Sequence, residues 1–322
     1  MRLGSAAAVA GPITMLLLSP WLAARLLDGR APARTIATFH LLALAGIGAV
    51  PLVLLPCLAM VRPGDLAALA SPSLIRVAQA ASHALVVAYA LRITWVAVRT
   101  ARATSRLAMD LGAVERLTET DRECAGYVLA SAHPVAYALG GRAGGVVVSR
   151  GLLALLDDDE RRAVLAHERA HLRLRHHRLL FFAKVVSTAL GPIAPAACQA
   201  AESLRRELEV IADEAAGLAV GDRGVVARAL AKTSLAMAGS APALAFGGDR
   251  DLAYRLDRLS RKRPNEDRRG LATLGVGLLA GELLAMVAFA LHGAGPLGSV
   301  VAAALAAGGL GWVSRRGVVA AA

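Results

Sequence analysis

The chain has 322 residues, of which 56% are hydrophobic and only 4% aromatic. Its mean hydropathy of +0.54 is too apolar for one soluble domain and suits a chain with several membrane spans. The formal net charge is +12, but no zinc-finger or RNP-like pattern accompanies it, so no nucleic-acid partner is expected. Three cysteines, Cys57, Cys124 and Cys198, without C-x-x-C spacing exclude a disulfide framework and a thiolate metal cluster.

Five apolar segments are long enough to span a bilayer, at about Ala6 to Leu27, Ile36 to Met60, Leu74 to Val98, Leu271 to Leu291 and Leu297 to Val313. The first could be a signal peptide. Its basic region is only Arg2 and no clear cleavage site follows, so it reads as a retained helix. Arg25, Arg30 and Arg34 follow span one, Arg99, Arg102 and Arg106 follow span three, "RLSRKRPNEDRR" precedes span four, and Arg315 and Arg316 follow span five. The other connections carry far less positive charge. The positive-inside rule then predicts an outside N-terminus, with the middle region and C-terminus in the cytoplasm of a multi-pass membrane protein. Glu282 within span four is expected to face other helices. His40 and His83 read as interhelical hydrogen-bonders rather than metal ligands.

Residues 100–269 form the polar domain. "YVLA" and "GGVVVS" are candidate strands. The acidic start of "LLDDDERRAVLAHERAHLRLRHH" suits a helix N-terminus. Val164, His167 and His171 then share one helix face, and two imidazoles on one face can close on one metal ion, as the H-E-x-x-H motif requires. The apolar stretch at about 179–198 is nearly long enough to cross, but a single crossing would break the charge pattern. Its central "GPIAP" predicts two short helices joined by a turn, a hairpin that dips into the membrane and returns. Glu202, Glu207, Glu209 and Asp213 follow on a helix, with Glu209 and Asp213 sharing a face. An apolar-faced helix is expected within 221–247, and residues 250–267 are expected at the membrane surface.

A catalytic zinc commonly takes three protein ligands and keeps one position for water. His167, His171 and Glu209 supply such a set for one zinc ion per chain, with Glu207 as the rival third ligand. Glu168 can take the proton of the attacking water and return it to the leaving amine. Asp213 can orient a ligand imidazole. Gly145, Val146 and Val147 of the "GGVVVS" strand are candidates to pair with an extended substrate. His133 is a candidate for contacting a peptide or oxyanion, or equally a turn residue. His176 and His177 are expected at an interface or in solvent.

"HPVAYALGG", "GGVVVSRGLLALLDDDERRAVLAHERAH" and "ELEVIADEAA", in that order, resemble the core of integral-membrane zinc metallopeptidases. Two related groups share it, the BlaR/MecR type and the HtpX and CAAX-prenyl-protease type, and the resemblance covers about residues 125–220. It implies zinc on His167, His171 and Glu209, catalysis by Glu168 and a supporting role for Asp213. Three spans ahead of the core resemble the BlaR/MecR arrangement. About nine residues follow span five, so no penicillin-binding domain is expected there.

The expected fold is mainly α, a polytopic membrane protein with a cytoplasmic zincin-like α+β metallopeptidase domain. Residues 1–99 would hold three spans, 100–269 the peptidase domain with its hairpin, and 270–322 two spans and a short tail. The expected activity is cleavage of a peptide or protein substrate at the cytoplasmic face of the lipid bilayer. A repressor or signalling protein is the favoured substrate. Membrane-protein quality control of the HtpX type, or a catalytically silent scaffold, are the alternatives.

Overall fold

A computed structural model describes residues 18–23, 25, 27, 31–59, 71–109, 114–116, 125–140, 145–238, 248–261, 276–277 and 280. Most of the first, fourth and fifth expected spans, and Glu282, lie outside these residues. The second and third expected spans form α1, Ala33–Ala59, and α2, Pro72–Met109. Both contain stretches long and apolar enough to cross a membrane, Ala33–Leu52 and Pro72–Ala103. His40 is fully buried in α1 against the edge of Phe39, and its ring nitrogens have no hydrogen-bond partner among the described residues. His83 bonds the Gln79 carbonyl one turn back in its own helix. Among the described residues, neither histidine makes the interhelical hydrogen bond expected of it.

Among the described residues four strands follow: β1, Val114–Arg116, β2, Ala125–Leu129, β3, Ala136–Leu139, and β4, Gly145–Ser149. The sheet order is β1-β2-β4-β3, with β4 parallel to β2 and antiparallel to β3. The "VVV" run of β4 is buried, as the β-branched run between paired neighbours requires. Its Val146 and Val148 pack with Leu152 and Leu156 and against Val164, Leu165 and Leu172 of the following helices. β3, "AYAL", had no counterpart in the sequence reading. Its alanines and leucine carry little strand preference, so pairing with β4 decides its state.

Ser149 ends the sheet and starts α3, Arg150–Leu155. Its hydroxyl accepts from the N–H of Leu152, at 3.1 Å, and of Val135, at 3.0 Å. The helix of the histidine motif, α4, is Asp158–Arg173. Asp157 and Glu160 form a reciprocal capping box at its start. Glu160 is also fully buried and accepts from Lys232 Nζ at 2.7 Å, which ties α4 to α7, Arg223–Ala238.

The expected hairpin is α5, His176–Leu190, a turn over 191–194, and α6, Pro195–Val220. The second arm is not a short helix. It runs 26 residues and carries Glu202, Glu207, Glu209 and Asp213 on the same rod. Gly191 sits so close to Ser187 and Cys198 that a Cβ there would lie 2.4 Å from the Ser187 carbonyl oxygen and 2.6 Å from Cys198 Sγ. Arg92 of α2 donates to the carbonyls of Ala189, at 2.7 Å, and Thr188, satisfying acceptors that the helix end leaves free. The main apolar cluster joins α1, α5 and α6 through residues such as Leu44, Ile47, Val186, Leu204 and Leu208. The helix α8, Gly248–Ser260, is pinned to this bundle. Arg258 donates to the Ala31 carbonyl at 2.9 Å, and Tyr254 donates to Glu207 Oε1 at 2.5 Å.

Candidate metal centre

His167 and His171 lie one turn apart on α4, and their Nε2 atoms are 3.1 Å from each other. Glu209 comes from the facing α6. Its Oε2 is 3.5 Å from His167 Nε2 and its Oε1 is 3.6 Å from His171 Nε2. A tetrahedral zinc ion with ligands at about 2.0–2.1 Å holds them roughly 3.3 Å apart. The Nε2 pair and the Glu209 oxygen facing each imidazole straddle that value, one donor atom from each of the three residues lies within 4.8 Å of the others, and the set of two imidazoles and one carboxylate is one that zinc takes. These residues therefore fit the ion. Among the described residues they are the group of His, Cys, Asp or Glu that could hold a metal. Glu207, the rival ligand, is two residues from Glu209 and thus about 200° around the helix. It is buried and accepts from Tyr254 instead.

Each imidazole is also held from behind. Asp213 Oδ1 lies 2.9 Å from His167 Nδ1, one turn beyond Glu209 on α6. His176 Nδ1 lies 2.9 Å from His171 Nδ1. His176 is only 2% exposed, so it is neither interfacial nor solvent-facing, which corrects the sequence expectation. His177 is partly buried, with its ring against Gly140.

Arg255 of α8 is the second residue that the sequence reading missed. It clamps Asp213 with two hydrogen bonds of 2.7 Å, and its Nη1 is 3.3 Å from Glu209 Oε2. The guanidinium fork matches a carboxylate in this way. It also supplies a fixed positive charge beside two buried carboxylates. A charged helix expected only at the membrane surface thus forms one wall of the centre.

The titrations follow from these contacts. Burial lowers the His167 pKa, but its hydrogen bonds to Asp213 and Glu209 and the charges of those carboxylates outweigh it and raise the imidazole to about 10. Burial and the neighbouring His167 lower His171 to about 4. Burial acts against the Glu209 carboxylate, yet His167 and Arg255 hold it below the usual range. Asp213 is likewise held low, burial being outweighed by Arg255. Glu168 is pushed up, chiefly by burial, while the Ala138 N–H of β3 bonds its carboxylate. A carboxylate displaced upward beside a metal-ligand set has the character of a proton-transfer group.

The remaining candidates fall elsewhere. His133 is exposed in the bend between β2 and β3, where its N–H donates to Ser131 Oγ. Gly145, Val146 and Val147 are buried in β4, which has a strand on each side. Their backbone groups are used within the sheet, so they cannot pair with a substrate, contrary to expectation. Among the described residues, the sheet edge nearest α4 that has no further strand beside it belongs to β3. The Val135 carbonyl accepts the Ser149 N–H at 2.9 Å, which turns the odd-numbered residues of this segment toward β4. Ala136 and Ala138 therefore present their backbone groups to the open edge.

Residues 101–191 match Peptidase family M48. The match covers His167, Glu168 and His171 and ends before α6. It supports a metallopeptidase of that family. No curated protein and no solved structure matches the chain.

Proposed function

We propose that the chain is a zinc-dependent endopeptidase of the membrane, with its centre on the cytoplasmic side. The observation that carries this reading is the ligand triangle, His167 and His171 Nε2 at 3.1 Å with Glu209 at 3.5 and 3.6 Å, next to Glu168 on the open β3 edge. Zinc held there supplies Lewis acidity toward water and the scissile carbonyl. The protein's own groups do the rest. An extended peptide adds to β3 through the outward backbone groups of Ala136 and the Ala138 carbonyl. Glu168 accepts a proton from the attacking water and delivers it to the leaving amine. Asp213 keeps His167 in the tautomer that leaves Nε2 free, and Arg255 keeps Asp213 and Glu209 ionised and in place.

The membrane part rests on α1, α2 and the hairpin. Leu74, Val77, Leu85, Val87, Leu91 and Trp95 of α2 are exposed, a broad apolar face that suits lipid. Ile193, at the hairpin turn, is 79% exposed. Val186 packs where Gly48 leaves room on α1. The arginines that flank the apolar segments support the proposed orientation and the division into 1–99, 100–269 and 270–322. The three spans that the sequence leads us to expect ahead of the core favour the BlaR/MecR type, with a repressor or signalling protein as the proposed substrate.

The test uses the full chain purified in detergent with an unstructured protein such as casein. Cleavage within the casein chain that disappears with chelator, returns with zinc and is lost in Glu168→Gln supports the reading. Undiminished cleavage by Glu168→Gln would overturn it. A topology reporter fused near Ala200 should read as cytoplasmic. An extracellular signal would remove the hairpin and the proposed orientation.

A further inference from the structure

The backbone breaks immediately after the histidine motif. α4 ends at Arg173, and Arg175 adopts φ 54, the one non-glycine residue with positive φ among those described. An arginine has no intrinsic preference for this left-handed region, so the surrounding structure must impose it. The consequence is local. On an uninterrupted helix, residues five apart point about 140° away from each other, and His176 could not meet His171. The break turns the chain so that the two Nδ1 atoms lie 2.9 Å apart, with His176 only 2% exposed. The start of α5 is fixed by a second contact. His177 packs so tightly on Gly140 at the end of β3 that a Cβ there would lie 2.6 Å from its ring.

We propose that His176 is a positioning residue for the metal centre, accepting a hydrogen bond from His171 Nδ1–H and so directing His171 Nε2 at the ion. The proposal rests on the zinc reading of the centre. With Nε2 of His171 turned toward His167 and Glu209, its ring proton sits on Nδ1. His176 Nδ1 is then the acceptor and carries its own proton on Nε2. The two ligand imidazoles are thereby held by unlike partners, His167 by the carboxylate of Asp213 and His171 by a neutral ring. A carboxylate makes its imidazole the stronger donor to a metal. A neutral ring fixes direction without adding negative charge, which leaves more of the ion's positive charge for water and substrate.

The experiment measures zinc affinity of the full chain in detergent by competition with a chromophoric chelator, together with the visible spectrum of the cobalt-substituted protein. His176→Ala is expected to bind zinc about 10–100-fold more weakly and to shift the cobalt bands. His176→Asn puts an amide oxygen where the Nδ1 acceptor stood, and is expected to recover affinity to within a few-fold and to restore the parent spectrum. Arg175→Gly, which relieves the left-handed backbone and keeps His176, should bind zinc like the parent. Parent-like affinity and bands in His176→Ala would overturn the positioning role. So would equal losses in the Ala and Asn variants with unchanged cobalt bands, since that pattern marks a packing effect. A parent protein that binds no zinc, with its fold intact by circular dichroism, would instead overturn the metal reading itself.

Discussion

Replacing Arg255 by Met tests how the centre is held together. Arg255 makes two 2.7 Å hydrogen bonds to Asp213, whose side chain is 2% exposed, and lies 3.3 Å from Glu209. Removing one member of a buried ion pair costs about 3–5 kcal/mol, because the partner charge stays in a poorly solvated place. Two features favour the lower end. The imidazole at His167 Nδ1, 2.9 Å from Asp213 Oδ1, remains as a donor, and the Arg255 side chain is 18% exposed. The expected loss is therefore about 3 kcal/mol, roughly two decades in the folding equilibrium. Asp213→Asn should cost less, about 1–2 kcal/mol, since Arg255 keeps Glu209 and the amide oxygen as acceptors. The double variant has no uncompensated charge at this pair, so it should recover about 2 kcal/mol relative to the sum of the singles. Unfolding by sodium dodecyl sulfate in mixed micelles, with chelator present so that zinc affinity does not enter, measures all four proteins. A loss below about 0.5 kcal/mol in Arg255→Met, or additivity of the two changes, would refute the clamp.

Three further outcomes follow from the same geometry. Glu168→Gln should lower the rate of peptide cleavage by about 10²–10⁴-fold while zinc stoichiometry stays at one per chain, measured by metal analysis alongside the casein assay. At pH 7, zinc uptake should release close to one proton, because His167, raised to about 10, is protonated and His171, lowered to about 4, is already neutral. Calorimetry in buffers of different ionisation enthalpy reads that number, and apparent affinity should rise as pH rises toward 10; a proton count near zero would contradict the Asp213–His167 pairing. Gly191→Ala should destabilise the hairpin by about 1–3 kcal/mol, since its Cβ would press on the Ser187 carbonyl and Cys198 Sγ, and parent-like thermal stability in detergent would show that the turn relaxes freely.

The parts of the site that were legible in the sequence are those whose partners are neighbours on one helix. His167 and His171 are four apart, as are Glu209 and Asp213, so helical period alone puts each pair on one face. The capping box of α4 was also visible as its acidic start, and β4 as a β-branched run. What the sequence hid depends on contacts between elements. Arg255 stands 42 residues beyond Asp213, and nothing in "DLAYRLDRL" distinguishes an arginine that closes a metal centre from one facing lipid headgroups. His176 reads as peripheral in the basic stretch "LRLRHH", and a continuous helix there would turn it away from His171; the left-handed Arg175 brings it back. The substrate strand was assigned to β4 for the same reason. Strong strand preference marks a strand that is covered on both sides, whereas the usable edge is the weakly patterned β3.

The hairpin and the chemistry were read as separate segments joined by topology, but α6 makes them one object. Glu209 lies on the same rod as Pro195, 14 residues along it and thus about 21 Å away. The hydrocarbon core is about 30 Å thick, so a turn at its midplane sets Glu209 about 6 Å beyond the apolar edge when α6 stands upright. Gly48, where Val186 of the hairpin packs, is 15 residues or about 22 Å along α1 from Ala33. Next to Ala33, the Ala31 carbonyl is held by Arg258 of α8, the helix that brings Arg255 to the metal ligands. On α1, too, the contact with the hairpin and the tie to α8 are separated by more than half the apolar thickness. With the turn at the midplane, the proposed ion would lie at headgroup depth, where water reaches it and where a polypeptide leaving the bilayer could lie along β3.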